Sequence, residues 1–104
     1  MGDRISISFK NGDVESVALF NHWDGLEFVH VAKEYVKELK EKISSPKSTI
    51  NPIDRLEPGT VMVDFIRWLT KDMDIVSHNL YLGRDATDGD NSDNGHFVID
   101  LNKE

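Results

Sequence analysis

The chain has 104 residues, of which 19 are acidic and 12 are basic, with a net charge of −7 and no cysteine. This length predicts one domain over residues 1–104, and a composition of 38% hydrophobic residues can supply a single core. The lack of cysteine excludes disulfides and thiolate chemistry and favours a cytoplasmic protein. The acidic balance argues against direct nucleic-acid binding, and no run of about 18 apolar residues predicts a membrane span.

The first predicted element is a β-hairpin. Residues 4–10 alternate between polar and apolar side chains, with the period of a half-buried strand. The Asn-Gly-Asp sequence at 11–13 is typical of a tight turn, because asparagine and glycine tolerate positive φ. A second strand is then expected over residues 14–20.

A helix is expected to start near Asp24. Asp24 and Glu27 have the spacing of a capping box, and Trp23 and Phe28 have that of a hydrophobic staple. Apolar residues then recur every three or four positions, and charged residues of both signs occupy the remaining positions. The helix should end near residues 44–46.

A second helix is expected after an irregular connection over residues 46–59, which contains all three prolines. Thr60 is its candidate N-cap, and the apolar stripe runs to about residues 70–72. The alternation from Val61 to Phe65 would also suit a strand. Helix is preferred because the continuation Phe-Ile-Arg-Trp-Leu is too densely apolar for clean alternation.

Two further strands are predicted over residues 76–82 and 97–101, joined as a hairpin by an acidic loop. The element order is therefore strand–strand–helix–helix–strand–strand. Two amphipathic helices can cover one face of a four-stranded, mainly antiparallel sheet. The predicted fold is an α+β two-layer sandwich.

The acidic loop is the candidate metal site. Residues 84–104 contain six acidic residues against two basic ones, a net charge of −4. From Asp90, oxygen ligands fall at the first, third and fifth positions, with glycine at the sixth, as in an EF-hand loop. Leu101 stands where the bidentate glutamate should be, so a true EF-hand is rejected. The candidate ligands for Ca²⁺ or another hard cation are Asp85, Asp88, Asp90, Ser92, Asp93 and Asn94.

The same loop has two other interpretations. Asp, Asn, Ser and Gly are standard residues of a long hairpin loop, where their side chains bond the local backbone. The carboxylates could also form an acidic surface for a protein partner. The plain loop is the preferred interpretation, and mutual repulsion of the carboxylates, which a bound cation would relieve, is the argument for a metal site.

A second candidate site is a pocket formed by His22, Trp23, Asp24 and His96. A strand passes into a helix at the first three positions, where exposed N–H groups and an imidazole could bind an anion or transfer protons. In the alternative interpretation, Trp23 packs and Asp24 caps the helix. The chain carries no nucleophile elbow, Walker loop or dinucleotide turn, so no catalytic residue is assigned, although a small hydrolase centred on His22 remains an alternative.

Three short motifs resemble a group of small uncharacterised prokaryotic and phage-encoded proteins. Members begin Met-Gly-x-Arg, carry His-Trp-x-Gly after a strand and end in Asp-Asn-x-Asp-Asn-Gly-x-aromatic. Here these motifs occupy residues 1–4, 22–25 and 90–97, with Asp24 where the group usually has asparagine. The resemblance implies no activity. It draws attention to His22, Trp23, Asp93, Asn94 and Gly95 and suggests that the motifs meet in space.

Two functions are therefore expected. The first is a non-enzymatic domain that binds Ca²⁺ or another hard cation through residues 85–95. The alternative is an acidic interaction or inhibitor module of mobile-element origin that binds a basic surface of a host protein.

Overall fold

The computed structural model describes residues 2–44, 56–76 and 79–102. It has α+β architecture, in which a sheet packs against two helices, as the sequence predicted. The elements in chain order are β1 (Ile5–Asn11), β2 (Val14–Glu15), β3 (Ala18–Asn21), α1 (Glu27–Ser44), α2 (Pro58–Thr70), β4 (Leu80–Gly83) and β5 (His96–Asp100).

Strand β1 lies at the centre of the sheet. It pairs antiparallel with β2 and β3 along one side and parallel with β5 along the other, and β4 pairs antiparallel with β3. The predicted hairpin between the last two strands is therefore wrong. Both β4 and β5 run parallel to β1 and lie at opposite edges, so the connecting residues 84–95 must cross the sheet.

A β-bulge divides the predicted second strand into β2 and β3. Lys10 pairs with Glu15, whereas Ile7 pairs with Leu19, so the second strand contains one extra residue between these pairs. At the bulge, the Ser16 hydroxyl accepts the N–H of Phe9 at 2.9 Å. Hydrophobic alternation cannot reveal such an insertion, since the residues around it keep their β propensity.

The two helices cover one face of the sheet and form the core with it. The β1 residues at positions 5, 7 and 9 point toward the helices, as their alternation predicted. Most of the apolar stripe of α1 is buried against them, because these side chains repeat with the helical period. The buried core comprises Ile5, Ile7, Phe9, Leu19, Phe28, Val29, Ala32, Tyr35, Val36, Leu39, Val61, Met62, Phe65, Ile99 and Leu101.

Helix α1 starts at Glu27, three residues after its predicted cap. Gly25 adopts a φ of 58°, a left-handed conformation that makes a turn before the helix. Asp24 does not cap the helix, because its carboxylate accepts the side-chain amide of Asn21 at 2.7 Å. The predicted staple is also wrong, since Phe28 joins the core whereas Trp23 is exposed.

Helix α2 starts at Pro58, and Glu57 rather than the predicted Thr60 is its N-cap. The fixed φ of proline suits the first turn, where a missing N–H costs nothing. The N–H of Val61 donates to the carbonyl of Glu57 at 2.9 Å, which closes the first turn. The structure decides the alternative over residues 61–65 in favour of helix.

A polar contact links the two helices beside the core. The Tyr35 hydroxyl donates to Asp64 at 2.7 Å, and Arg67 donates to the other carboxylate oxygen at 2.8 Å. Burial and the hydrogen bond to Asp64 raise the pKa of Tyr35. Burial alone would raise the pKa of Asp64, but the hydrogen bonds from Arg67 and Tyr35 outweigh it, so that pKa is lowered.

Residues 84–95, which we call the crossing loop, pack on the outer face of the sheet, away from the helices. The rings of Phe20 and Tyr81 stack there, with centroids 5.0 Å apart. A β-carbon added to Gly89 would lie 2.8 Å from both rings, so the loop backbone rests directly on them. Asn91 also donates to the Ser6 hydroxyl at 2.9 Å. The sheet thus has helices on one face and the crossing loop on the other.

Some predictions lie outside the described residues. These are the end of the first helix at 45–46, most of the irregular connection and residues 77–78 of the third predicted strand. Within the described ranges that strand is short, since β4 begins only at Leu80. Neither described helix combines the length and apolar character that a membrane crossing needs.

Candidate functional site

An arginine pairs with two carboxylates of the crossing loop. The Arg4 guanidinium donates to Asp90 at 2.7 Å through Nη1 and to Asp93 at 2.9 Å through Nε. The backbone N–H of Arg4 also donates to Asp93 at 2.9 Å. The hydrogen bond with Asp93 raises the pKa of Arg4 and lowers that of Asp93. A cation supplied by the chain itself therefore relieves the repulsion from which the metal site was inferred.

The remaining loop carboxylates bond the backbone beside them. Asp85 accepts the N–H of Thr87 at 2.9 Å and its hydroxyl at 2.6 Å, which lowers the pKa of Asp85. Asp88 accepts the backbone N–H of Arg84 at 2.8 Å. These are the turn contacts expected of aspartate in a loop.

Ser92 and Asn94, the two uncharged candidate ligands, also hold the loop in place. The N–H of Ser92 donates to Asp90 at 3.0 Å, and hydrogen bonding with Ser92 is the main cause of the lowered pKa of Asp90. The Asn94 side chain donates to Asp3 at 2.6 Å and to the carbonyl of Arg4 at 3.1 Å. Among the described residues, no three His, Asp or Glu side chains form a group that could hold a metal ion. Calcium binding therefore stays a prediction.

The structure brings together the three segments singled out by the resemblance. Asp3 connects them: its N–H donates to the carbonyl of His22 at 2.8 Å, and its carbonyl accepts the N–H of Gly25 at 2.9 Å. Its carboxylate accepts the side chain of Asn94. Residues 2–4, 22–25 and 90–95 thus form one corner of the molecule, which we call the three-segment corner.

Within this corner, His22, Trp23 and Asp24 form a single braced turn. The ring centroids of His22 and Trp23 are 4.3 Å apart at an interplanar angle of 74°. The N–H of Trp23 donates to the side-chain oxygens of Asn21 at 3.1 Å and Asn79 at 2.9 Å. The buried Asn21 and the neighbouring Asn79 therefore fix the turn, and sequence reasoning had assigned neither of them a role.

His96 does not join this turn but contacts the outer face of the sheet. Its Nδ1 lies 2.7 Å from the Ser6 hydroxyl and its Nε2 lies 3.1 Å from that of Ser8. Ser8 donates to Glu15 at 2.7 Å, so we assign the imidazole proton to Nε2, which then donates to Ser8. Ser8 is buried and its hydroxyl donates a hydrogen bond to Glu15, so this cluster connects β1, β2 and β5.

Replacing Asp93 with asparagine is expected to lower the melting temperature at neutral pH, because Arg4 loses a charged acceptor. The folded-state pKa of Asp93 lies below its unfolded value, about 3.9. The carboxylate therefore contributes stability above that pH and loses this contribution as pH falls through the folded-state pKa. The gap between wild type and variant should close below about pH 4 in thermal melts followed by circular dichroism.

Asp13→Asn provides the matched control, because it makes the same charge change at an exposed residue of the hairpin turn. Its melting temperature should stay close to that of the wild type. An Asp93→Asn gap that persists unchanged into strong acid would contradict the role of the ion pair.

Comparison of the chain with models of known protein families, with curated protein sequences and with solved structures found no match.

Proposed function

We propose that this protein is a non-enzymatic interaction domain that binds a basic surface of a protein partner through the crossing loop. The observation that carries the proposal is the exposure of four loop carboxylates on a backbone anchored to the outer face of the sheet. We call them the acidic surface: Asp85, Asp88, Asp90 and Asp93.

The distribution of charge supports this assignment. Helix α1 carries four acidic and four basic residues, and α2 carries one of each, so the helical layer is balanced. The crossing loop carries four aspartates and one arginine, a net charge of −3 within 12 residues, and pairing with Arg4 leaves −2. A local excess of one sign steers association with a surface of the opposite sign and selects against like-charged partners.

The anchoring of the loop also supports binding. The rings beneath Gly89, the Asn91 contact with Ser6 and the Arg4 ion pairs hold the carboxylates in fixed positions. A surface that is ordered before association pays little conformational entropy when a partner docks. Rigid presentation distinguishes this loop from a flexible acidic tail.

The test is affinity capture at low ionic strength with wild type and a loop variant in which all four aspartates become asparagine. Asparagine keeps an acceptor oxygen for the local turns but removes the charge. We expect the wild type to retain a stoichiometric protein with a basic surface, and the loop variant or high salt to release it.

The matched control removes three charges from the helical layer through Glu34→Gln, Glu38→Gln and Glu41→Gln. This variant should retain the partner, because it leaves the loop intact. Equal capture by the loop variant, or loss of the partner in the helix variant alone, would refute the proposal.

Calcium binding is a second candidate function, which we propose on the density of carboxylates in the ordered crossing loop. Hard cations favour carboxylate and carbonyl oxygens at sharp turns. Calcium titration followed by backbone amide shifts tests it, with Arg4→Met as the companion variant that removes the competing internal cation. Saturable shifts confined to residues 85–97 would support the site, whereas unchanged spectra in both proteins would refute it.

A further inference from the structure

Two apolar side chains stand exposed beside the acidic surface. Trp23 is 55% exposed and Leu26 is 53% exposed, although both lie in the short connection between β3 and α1. Most aromatic side chains of the described chain pack in the core or on the outer face of the sheet. An exposed tryptophan is costly in solvent and is the residue type most enriched at the energetic centres of interfaces.

Two asparagine side chains hold the backbone of Trp23 in place. Asn21 is buried and accepts the backbone N–H groups of both Trp23 and Asp24. Asn79 accepts the Trp23 N–H from the other side. The turn therefore holds the Trp23 backbone in place, and the indole contacts the His22 ring, so that less order has to be gained on binding.

Carboxylates belong to the same turn as these apolar side chains. Asp24 and Glu27 lie beside them in sequence and are exposed, and Asp3 packs against Gly25 within the same turn. Asp3 also accepts the side chain of Asn94, which connects this turn to the acidic surface. Trp23 and Leu26 are thus exposed apolar residues of a turn that Asp3 connects to the acidic surface.

We infer that Trp23 and Leu26 anchor the partner, and that the indole receives an arginine side chain of that partner. This inference rests on the proposed function and names the group that the partner contributes. A guanidinium can stack on an aromatic face while its N–H groups donate to a carboxylate, which an ammonium does less well. An apolar residue of the partner beside that arginine covers Leu26.

The corner already pairs one guanidinium of the chain with carboxylates. Arg4 pairs with Asp90 and Asp93 through two different nitrogens at 2.7 and 2.9 Å. The carboxylate geometry of this corner therefore matches the fork of an arginine side chain. The exposed indole of Trp23 adds a π-face for a second guanidinium from outside.

The test uses dye-labelled hexa-arginine and hexa-lysine peptides as defined probes, with binding followed by fluorescence anisotropy at low ionic strength. We expect tighter binding of hexa-arginine than of hexa-lysine, and a loss of about tenfold in affinity for hexa-arginine in Trp23→Ala. In a Trp68→Phe background, Trp23 is the remaining tryptophan of two, so its emission should change as the arginine peptide saturates the site.

Leu82→Ala is the matched control, because Leu82 is also 55% exposed but lies on β4. It should bind hexa-arginine like the wild type. If the four-aspartate loop variant loses the peptide but Trp23→Ala keeps it, the anchor is overturned and the acidic surface stands. If the wild type shows no saturable binding, both the anchor and the proposed function are contradicted.

Discussion

Replacing Phe65 with alanine is expected to lower the free energy of unfolding by about 3–5 kcal/mol. Phe65 is fully buried on α2, and its ring lies 5.5 Å from that of Phe9 on the sheet. It also lies 5.1 Å from Tyr35 and 6.0 Å from Phe28, both on α1. Truncation therefore leaves a cavity where the sheet and both helices meet. Urea denaturation followed by circular dichroism measures the loss.

The matched control is Val63→Ala, since Val63 lies two residues away on the same helix and is 69% exposed. Its effect should stay within about 0.5 kcal/mol. If the Phe65→Ala protein does not fold, Phe65→Leu provides a milder truncation with a smaller loss. Equal stabilities for the Phe65 and Val63 variants would contradict the described core.

Replacing Phe20 with alanine is expected to cost a similar amount, about 3–5 kcal/mol, on the opposite face of the sheet. Phe20 is fully buried under the crossing loop, where its ring stacks on Tyr81 and contacts the loop backbone at Gly89. Its loss should also release the loop. Amide hydrogen exchange within residues 84–95 is therefore expected to accelerate more than exchange in α1.

Val98→Ala is the control for Phe20, because Val98 is exposed on a neighbouring part of the outer face. It should leave both stability and loop exchange nearly unchanged. Gly89→Ala tests the same contact from the loop, because the added β-carbon would collide with both rings. It should lower the free energy of unfolding by about 1–3 kcal/mol. Unaltered loop exchange in both the Phe20 and Gly89 variants would show that the loop does not rest on this pair.

Local periodicity was sufficient to predict the elements and the layer architecture. The alternation in β1 and the helical stripe of α1 each mark the side chains that meet the core. The alternation predicted a half-buried β1, but Ser6 and Ser8 on its other face are buried as well. The same reasoning missed the bulge at Ser16, because one inserted residue changes the facing of side chains without changing their composition. It also misplaced the start of α1, since Asp24 bonds asparagine side chains and not the helix.

The parallel pairing of β5 with β1 could not be read from local sequence. An acidic, glycine-containing segment between two strands suits a hairpin, and nothing in its composition reveals that it crosses the sheet. The contacts of the candidate site could not be predicted for the same reason, because they join residues that are far apart in the sequence. The loop carboxylates are visible in the sequence as a cluster, but the cation that pairs with two of them, Arg4, is 86 residues away from Asp90 and was predicted only on the polar face of a strand.

Contacts between segments far apart in the sequence are expected to slow folding. Arg4 bonds Asp93 across 89 residues, and β1 gains its parallel partner only from the last strand of the sheet. Forming such distant contacts requires closing a long loop, and this costs conformational entropy before the strand pairing can offset it. The helices and the first hairpin can form from local contacts. One side of β1 stays unpaired until β5 pairs with it. Folding should therefore be slower than that of a helical protein of equal length, with the unpaired side of β1 as the surface most exposed to aggregation during that interval.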